Sequence, residues 1–446
     1  MREGSLDAPT RHPIAWQDPQ FADPAQIDTE LRRVFDICHT CRRCFNLCES
    51  FPRLFDLIDE SRTGELDAVD SAGFKPVVDA CTLCDMCFMT KCPYVPPHAF
   101  NVDFPHLMLR YRAMEAARSK VSFADRQLAA TDRNGKLAGL AAPVANWATN
   151  RSNTRARTLL AKVADLDPRA ELPKYHARSF VAESRKDAPA VNTAAPAHGR
   201  KAVLYATCFV NYNDPDMGAA ARAVLAKNGV ETDVVHPHCC GMPLLEQGRI
   251  GDVAAAAKQV AAALGGWIDK GYDVIALVPS CALMLKFEWP LILPDDPAVR
   301  RLSAATFDVS EYMVDIARKE GLAPGLAPVP GGVTVHLACH ARAQNMGQKG
   351  ADLLRLLPET EVTVIERCSG HGGAWGFKSA HFDTALKVGR PAARQARDGG
   401  KGLVASECPL AGVHIGQGMD LLGGDTPRPA LAGHPIQILA RAYGLA

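Results

Sequence analysis

Cys38, Cys41, Cys44 and Cys48 fall in the stretch CHTCRRCFNLC. Three thiols at steps of three with a fourth four places on can wrap one corner of an inorganic cubane, and C-x2-C-x2-C-x3-C is the spacing of a bacterial 4Fe-4S site. Glu49 stands where that run usually ends in proline. A second run, Cys81, Cys84, Cys87 and Cys92 followed by Pro93 (CTLCDMCFMTKCP), is one residue longer before its last cysteine. In two-cluster proteins the fourth cysteine of each run ligates the other cluster. The spacing therefore predicts one 4Fe-4S cluster on Cys38, Cys41, Cys44 and Cys92 and a second on Cys81, Cys84, Cys87 and Cys48. Zinc also uses C-x2-C units, but normally as two pairs. Here each run supplies three close cysteines and a distant fourth, which favours iron and sulfide. Arg42 and Arg43, between ligands, either offset cluster charge and raise its potential or remain solvated.

The chain has 446 residues, 47% hydrophobic and 22% charged, with fifteen cysteines and a formal net charge of +1. That length allows about three domains. Near-neutral charge gives no whole-protein field for nucleic acid, and none is expected as a partner. No run of about 18 apolar residues predicts a membrane-spanning helix. The polar, proline-rich start lacks the apolar core of a secretory signal, so the expected location is the cytoplasm, with peripheral attachment to the inner face of the cell membrane left open. Disulfides are rare in that compartment, and clustered thiols there serve metals or redox chemistry.

The elements that must hold these thiols follow from pattern. Residues 1–26 read as an extended arm. Ile27 to Ile37 is an amphipathic helix leading to Cys38, and helical pattern resumes from Phe45 to Ile58 with Cys48 near its start. Phe104 to Lys120 has helical spacing and closes a module over 27–120. Its basic, Met- and Leu-bearing character suits core packing, a partner groove or a membrane surface. Residues 121–200 hold further helical pattern and then an aperiodic linker from Glu183 to Arg200. Beyond it, short apolar runs alternate with alanine-rich helices, the signature of parallel α/β units. Strands are predicted to lead into Cys208, into Cys239-Cys240-Gly241 and into Cys281. The arrangement repeats with Cys339, Cys368-Ser369-Gly370 and Cys408. The units span 201–320 and 331–446, with GLAPGLAPVPGG between them. Carboxyl ends of strands are where open α/β sheets place ligands. The expected fold class is thus multidomain α+β: an α-helical ferredoxin-like module with two 4Fe-4S sites, then two tandem α/β cysteine-rich repeats.

A twin ferredoxin-type module followed by two "CCG" repeats resembles the iron–sulfur (C) subunit of anaerobic glycerol-3-phosphate dehydrogenase and the heterodisulfide-reductase-related iron–sulfur oxidoreductases. The stretches ACHARAQNMG, ERCSGHGGAWGFK and HPIQILARAYG carry the likeness to the first branch. The full family pattern has a cysteine after the first strand, a CCG and a terminal C-x2-C in each repeat. This chain departs from it at Met284, Ser369 and Ala411. The resemblance implies a metal or cluster site on Cys208, Cys239, Cys240 and Cys281, and puts the five-cysteine non-cubane assembly out of reach in either copy. Cys339, Cys368 and Cys408 lack a fourth thiolate. His371 or His340 can complete a site, since imidazole replaces thiolate in some clusters. Alternatively the site has an open metal position, or is empty, or its cysteines are small buried apolar residues. Lone histidines such as His98, His106 and His236 read as hydrogen-bonded structural residues. Gly370, Gly372 and Gly373 around His371, with Lys378, can cradle an anion or quinone head group, or simply make a tight turn.

The function implied is electron transfer: a flavoprotein dehydrogenase subunit or other redox protein as donor, two 4Fe-4S clusters with one or two further iron–sulfur or metal sites, and a quinone, a membrane component or another acceptor. The rivals are reduction of a disulfide at the repeats and a structural zinc scaffold.

Overall fold

The computed structural model describes residues 9–423 and 428–445. Residues 1–8 of the expected arm, and residues 424–427 and 446 of the second repeat, lie outside the described residues. The first helix, α1 (Pro24–Cys41), starts earlier than its apolar pattern because Asp23 caps it, accepting from the Gln26 amide at 2.9 Å, with Pro24 at the first helical position. It buries Ile27, Leu31, Val34 and Phe35 on one face. It also runs on through Cys38 and Cys41, which therefore sit one turn apart on a helix, not in a loop. Arg42 ends the helix at φ 51°, its amide bonded to the Cys38 carbonyl at 2.9 Å. Irregular turns carry Cys44 and Cys48, and α2 (Ser50–Asp59) begins only after Cys48. Helix α3 (Phe104–Ala117) closes this helical unit, whose core is aromatic, with Phe51 and Phe104 at 4.7 Å and Phe35 edge-on to Phe74 at 5.1 Å. Four short helices follow between Phe123 and Ala164.

Two sheets of four parallel strands make up the rest. The first contains β1 (Lys201–Tyr205), β2 (Glu231–Val235), β3 (Asp273–Ala276) and β4 (Thr306–Asp308), ordered β2-β1-β3-β4. Helices α4 (Pro215–Lys227), α5 (Ile250–Ile268) and α6 (Val309–Lys319) connect and flank it. The second contains β5 (Val333–His336), β6 (Val362–Ile365), β7 (Leu403–Ser406) and β8 (Ala430–Gly433), ordered β6-β5-β7-β8, with α7 (Phe382–Asp398), α8 (Pro409–Leu422) and α9 (Pro435–Ala442). The same order in both confirms the repeat, and β4 and β8 are edge strands that apolar patterning did not isolate. Asp214 and Asp308 cap α4 and α6, the latter in a full capping box with Glu311. The linker after Ser184 is tied to the first sheet's helices: Arg222 donates to the Ser184 carbonyl at 2.6 Å and Asn192 to the Ala226 carbonyl at 2.9 Å.

The two repeats and the helical unit share buried contacts. Asn228 accepts from the Ala323 amide at 2.9 Å, Tyr443 donates to the Ala323 carbonyl at 2.9 Å, and Lys286 bridges Glu311 at 2.7 Å and Gln344 at 3.2 Å. Arg11, from the arm, is the densest such contact. It reaches Asp85 at 2.8 Å, Asp103 at 2.8 Å and Glu288 at 3.2 Å, and its guanidinium lies 4.6 Å from the Phe88 ring. Burial works against its charge, but the three carboxylates together hold it protonated. Arg11→Met should lower unfolding stability by roughly 3–5 kcal/mol, because it leaves paired carboxylates buried without their cation. Chemical denaturation of the two proteins at neutral pH measures this, and a change within experimental error would refute the clamp.

Candidate functional site

None of the fifteen cysteines is in a disulfide, and the structure sorts them into groups. Cys38 is half-buried, and its thiol is pushed well up, first by desolvation and then by Cys92, Cys44 and Cys41. Cys44 is pushed up to about 12 by burial, Cys92 and Cys41, and pulled back by Lys91 and Arg43. Cys48 faces Cys84 and Cys81 across the unit, and Cys87 faces Cys84, Cys81 and Cys48. The fourth cysteine of each run thus lies with the other run. Cys87 also feels Cys44, so the two groups adjoin. Of the two arginines between ligands, Arg43 acts on Cys44, whereas Arg42 is spent on an ion pair with Asp59.

The extra residue in the second run has a structural answer. Cys87–Lys91 is a turn of π-helix, and the Cys92 amide bonds to the Cys87 carbonyl at 2.8 Å across five residues. The wider turn takes up the insertion and still returns Cys92 to the first group. Upstream, Leu83 (φ 49°) and Asp85 (φ 62°) adopt left-handed backbone around Cys84. Such residues cost free energy and cluster where function dictates the path. Backbone amides turn toward sulfur as well: Ser50 toward Cys48, Leu83 toward Cys81, Met86 toward Cys84, and Tyr94 and Val95 toward Cys92. Amides of this kind stabilise thiolate and tune iron–sulfur potentials. Eight converging thiols served by amide donors fit two 4Fe-4S clusters. Among the described residues no three Cys, His, Asp or Glu side chains close on one point at the spacing of a single ion.

In the first repeat, Cys208 follows β1, Cys239 and Cys240 follow β2 and Cys281 follows β3, all at carboxyl ends where the strand order reverses between β1 and β3. Cys208 and Cys239 sulfurs are 3.9 Å apart, and Cys240 bridges Cys239 to Cys281. Bonds from Cys208 and Cys240 depress Cys239 well below the usual thiol range, while Cys208 is raised. Four thiols gathered at one switch point fit a metal or cluster. Thr207, fully buried at φ 57°, sets the direction of Cys208. Sequence reasoning missed the residues that brace this group. Asp132 accepts from the Cys239 amide at 2.8 Å and from His236 at 2.6 Å, Tyr205 donates to the His238 carbonyl at 2.6 Å, and Trp289 donates to the Cys240 carbonyl at 3.1 Å. Thr131-Asp132 before a helical run was the available signal for the first of these.

The second repeat is arranged differently. Cys339 bonds to both Cys368 and Cys84, so two of its thiols lie against the group that contains Cys81, Cys84, Cys87 and Cys48. Cys368 is held at about 7, mainly by its bond with Cys339 and despite its burial, with help from the Gly370 amide and Arg342. Cys408 is raised by burial and feels Cys281 of the first repeat. His371 faces Phe377 at 5.0 Å and His414 at 6.3 Å, and its Nδ1 has no partner. Both nitrogens of His340 are engaged, by Ser280 at 2.8 Å and the Leu83 carbonyl at 3.3 Å. His98, His106 and His236 are hydrogen-bonded. The glycines around His371 are filled by protein: a Cβ at Gly372 meets the Thr82 side chain at 2.5 Å, and one at Gly373 meets Glu246. Their positive φ angles serve close packing of this loop on its neighbours, and Lys378 pairs with Asp125.

Residues 202–286 and 333–416 match the model of the cysteine-rich domain designated CCG. The C subunit of anaerobic glycerol-3-phosphate dehydrogenase from Escherichia coli (strain K12) is 29% identical over 323 residues, 71% of this chain and 76% of that protein. Lactate utilization protein A of Geobacillus thermodenitrificans (strain NG80-2) is 32% identical over 189 residues, 40% of this chain and 75% of that protein. The B subunit of fumarate reductase (CoM/CoB) from Methanothermobacter marburgensis is 28% identical over 231 residues, 50% of this chain and 43% of that protein.

His336 shows how the second repeat depends on pH. Burial pushes its imidazole down to about 4, while its ring bonds Ser406 at 2.9 Å and the Arg367 carbonyl at 3.0 Å. An unfolded histidine titrates near 6.5. Its stabilising contribution is therefore complete above that pH and lost as pH falls toward 4, by up to about 3 kcal/mol. His336→Asn should flatten the acid side of the stability profile between pH 6.5 and 4, measured by denaturant titration, and an unchanged slope would contradict the assignment.

Proposed function

The chain belongs to the CCG cysteine-rich-domain family of iron–sulfur proteins that includes the C subunit of anaerobic glycerol-3-phosphate dehydrogenase and lactate utilization protein A, and from that premise we propose that it is the electron-transfer subunit of a dehydrogenase complex. In this reading Cys38, Cys41, Cys44 and Cys92 hold one 4Fe-4S cluster and Cys81, Cys84, Cys87 and Cys48 a second. Cys208, Cys239, Cys240 and Cys281 hold a further iron–sulfur site. Cys339, Cys368, Cys408 and His371 are the candidates for a fourth, with Cys339 and Cys368 best placed to couple it to the second cluster. The domains run 27–120, 121–200, 201–320 and 331–446, behind the arm.

Clusters of this kind accept and release single electrons at potentials set by charge, burial and hydrogen bonds to sulfur. The protein's own contribution is spacing and insulation. Cys44 acts on Cys87 through its charge and so relates the first group to the second, Cys84 bonds to Cys339 and joins the second group to the second repeat, and Cys408 feels the charge of Cys281 in the first repeat. This succession of thiols, with the Cys84–Cys339 contact at its centre, is the observation that carries the proposal. The donor is a flavoprotein subunit or another redox protein, and the acceptor a quinone or other carrier. Disulfide reduction at the repeats is the weaker reading, because Met284, Ser369 and Ala411 occupy positions where that chemistry's cluster takes cysteine.

The described helices include none long and apolar enough to cross a membrane. Peripheral attachment is supported by the four short helices between Phe123 and Ala164. They leave Phe123, Leu137, Leu140, Val144, Trp147, Leu159 and Val163 more than half exposed. Between Arg118 and Ala164 nine basic residues face two acidic ones, in a chain whose net charge is only +1. Exposed apolar and basic side chains together suit an anionic bilayer surface.

Anaerobic purification should yield about eight irons per chain if only the ferredoxin-type pair is filled, and about twelve if the first repeat holds a third cubane. A zinc protein without iron or acid-labile sulfide would end the proposal. Cys48→Ala should damage the cluster held mainly by the second run, and spectroscopy showing selective loss of the first would contradict the exchange. Leu140→Glu with Trp147→Glu should abolish sedimentation with anionic vesicles while leaving iron content unchanged.

A further inference from the structure

A cavity of about 350 Å3 opens where the helical unit meets both repeats. Cys81 of the second ferredoxin-type group is in its wall, with Glu246 from the first repeat and Trp375, Lys378 and His381 from the second. We infer that this cavity seats the head group of a quinone-type acceptor, a small ring carrying carbonyl oxygens, and that the acceptor is reduced there directly from the cluster to which Cys81 belongs. The inference rests on the electron-carrier reading above and goes beyond it by placing the exit at the second cluster, without passage through the repeats.

The volume is that of a small-molecule site. Val121, Leu128 and the Trp375 ring supply apolar wall, and Trp375 stacks on His381 at 4.9 Å and 12°. The polar groups are few and converge. Arg112 donates to the Val78 carbonyl at 2.7 Å and the Glu246 carbonyl at 3.0 Å, and also to the Cys81 carbonyl, so it braces the cysteine loop against the cavity floor. Lys378 pairs with Asp125 at the side. The Glu246 carboxylate has no hydrogen-bond or ion-pair partner among the described residues. Burial pushes it up to about 7, against the pull of Arg112 and Lys378. Trp375 Nε1, His381 Nδ1 and Gln247 Oε1, all on wall residues, are buried without partners. Unsatisfied polar groups at this density call for a ligand or ordered water.

Reduction of a quinone takes two electrons and two protons, and ends with two O–H bonds on the former carbonyl oxygens. The electrons arrive singly through the Cys81 group from the redox partner. The protons come from solvent by way of the Glu246 carboxyl, which passes one and is reprotonated before the second. A lipid-soluble acceptor also needs an approach. The helix Phe123–Ala129 contributes Asp125, Leu128 and Ala129 to the wall while Phe123 projects outward, 59% exposed, on the apolar and basic helices described above.

The test uses the full chain purified anaerobically with its iron, and an azido-naphthoquinone as photoreactive probe. Label is expected on the peptides containing Glu246 or Trp375, and should be displaced by excess unlabelled naphthoquinone. Glu246→Gln and Trp375→Leu should each weaken that displacement about tenfold, the effect of one lost hydrogen bond or contact. Label elsewhere, or displacement unchanged in both variants with iron content preserved, overturns the site. Ferricyanide reduction by the dithionite-reduced wild-type chain reports separately on the carrier reading: if it proceeds while label misses the cavity, only the acceptor site is wrong.

Discussion

Three carboxylates from distant parts of the chain converge on one guanidinium, and without that cation they could not share a dry interior. Asp85 lies between two cysteines of the second run, Asp103 caps α3, and Glu288 belongs to the first repeat. Burial opposes ionisation of Asp103, yet His106 and Arg11 outweigh it and hold the carboxyl down at about 2. Arg11 has five donors in a planar fork, which suits it to several acids at once better than a lysine. The consequence is positional. The loop bearing Cys84 is fixed against the first repeat by the same charge balance that keeps the arm folded down, so the thiol groups are held in register by an electrostatic knot outside all of them.

Much of the grouping of the thiols could be read from spacing, because regularly spaced cysteines in a short stretch of chain are brought together by local winding. The two runs, the approach of each fourth cysteine to the other run and the repeat of strand-to-cysteine turns all follow from local pattern. What escaped is of two kinds. Edge strands β4 (TFD) and β8 (ALAG) are only three and four residues long, too short for periodicity to declare. Contacts between remote segments left no local mark: Asp132 on the Cys239 amide, His340 between Ser280 and Leu83, and Arg11 itself. The glycines around His371 suggested a ligand cradle, but close approach of backbone looks the same in sequence whether the visitor is a ligand or, as here, Thr82 and Glu246.

The two repeats share strand order yet have diverged in what they do with sulfur. The first gathers four thiols at its own switch point, backed by Tyr205 and Trp289. The second gives Cys339 and Cys368 to the neighbouring helical unit and sends Cys408 toward Cys281. Ser369 and Ala411 are buried, as is Met284, so the vacated positions are filled by packing. One strand order thus carries two different arrangements of thiols.

The π-turn at Cys87–Lys91 has a meaning for how such motifs are recognised. Adding one residue to a regular helix rotates everything after it by about 100°, which would turn Cys92 away from its partners. A change of pitch cancels the rotation, so the sulfur keeps its bearing although the count of residues does not. The number of residues between the two cysteines is therefore a property of the winding, and a search by fixed spacing measures the wrong variable.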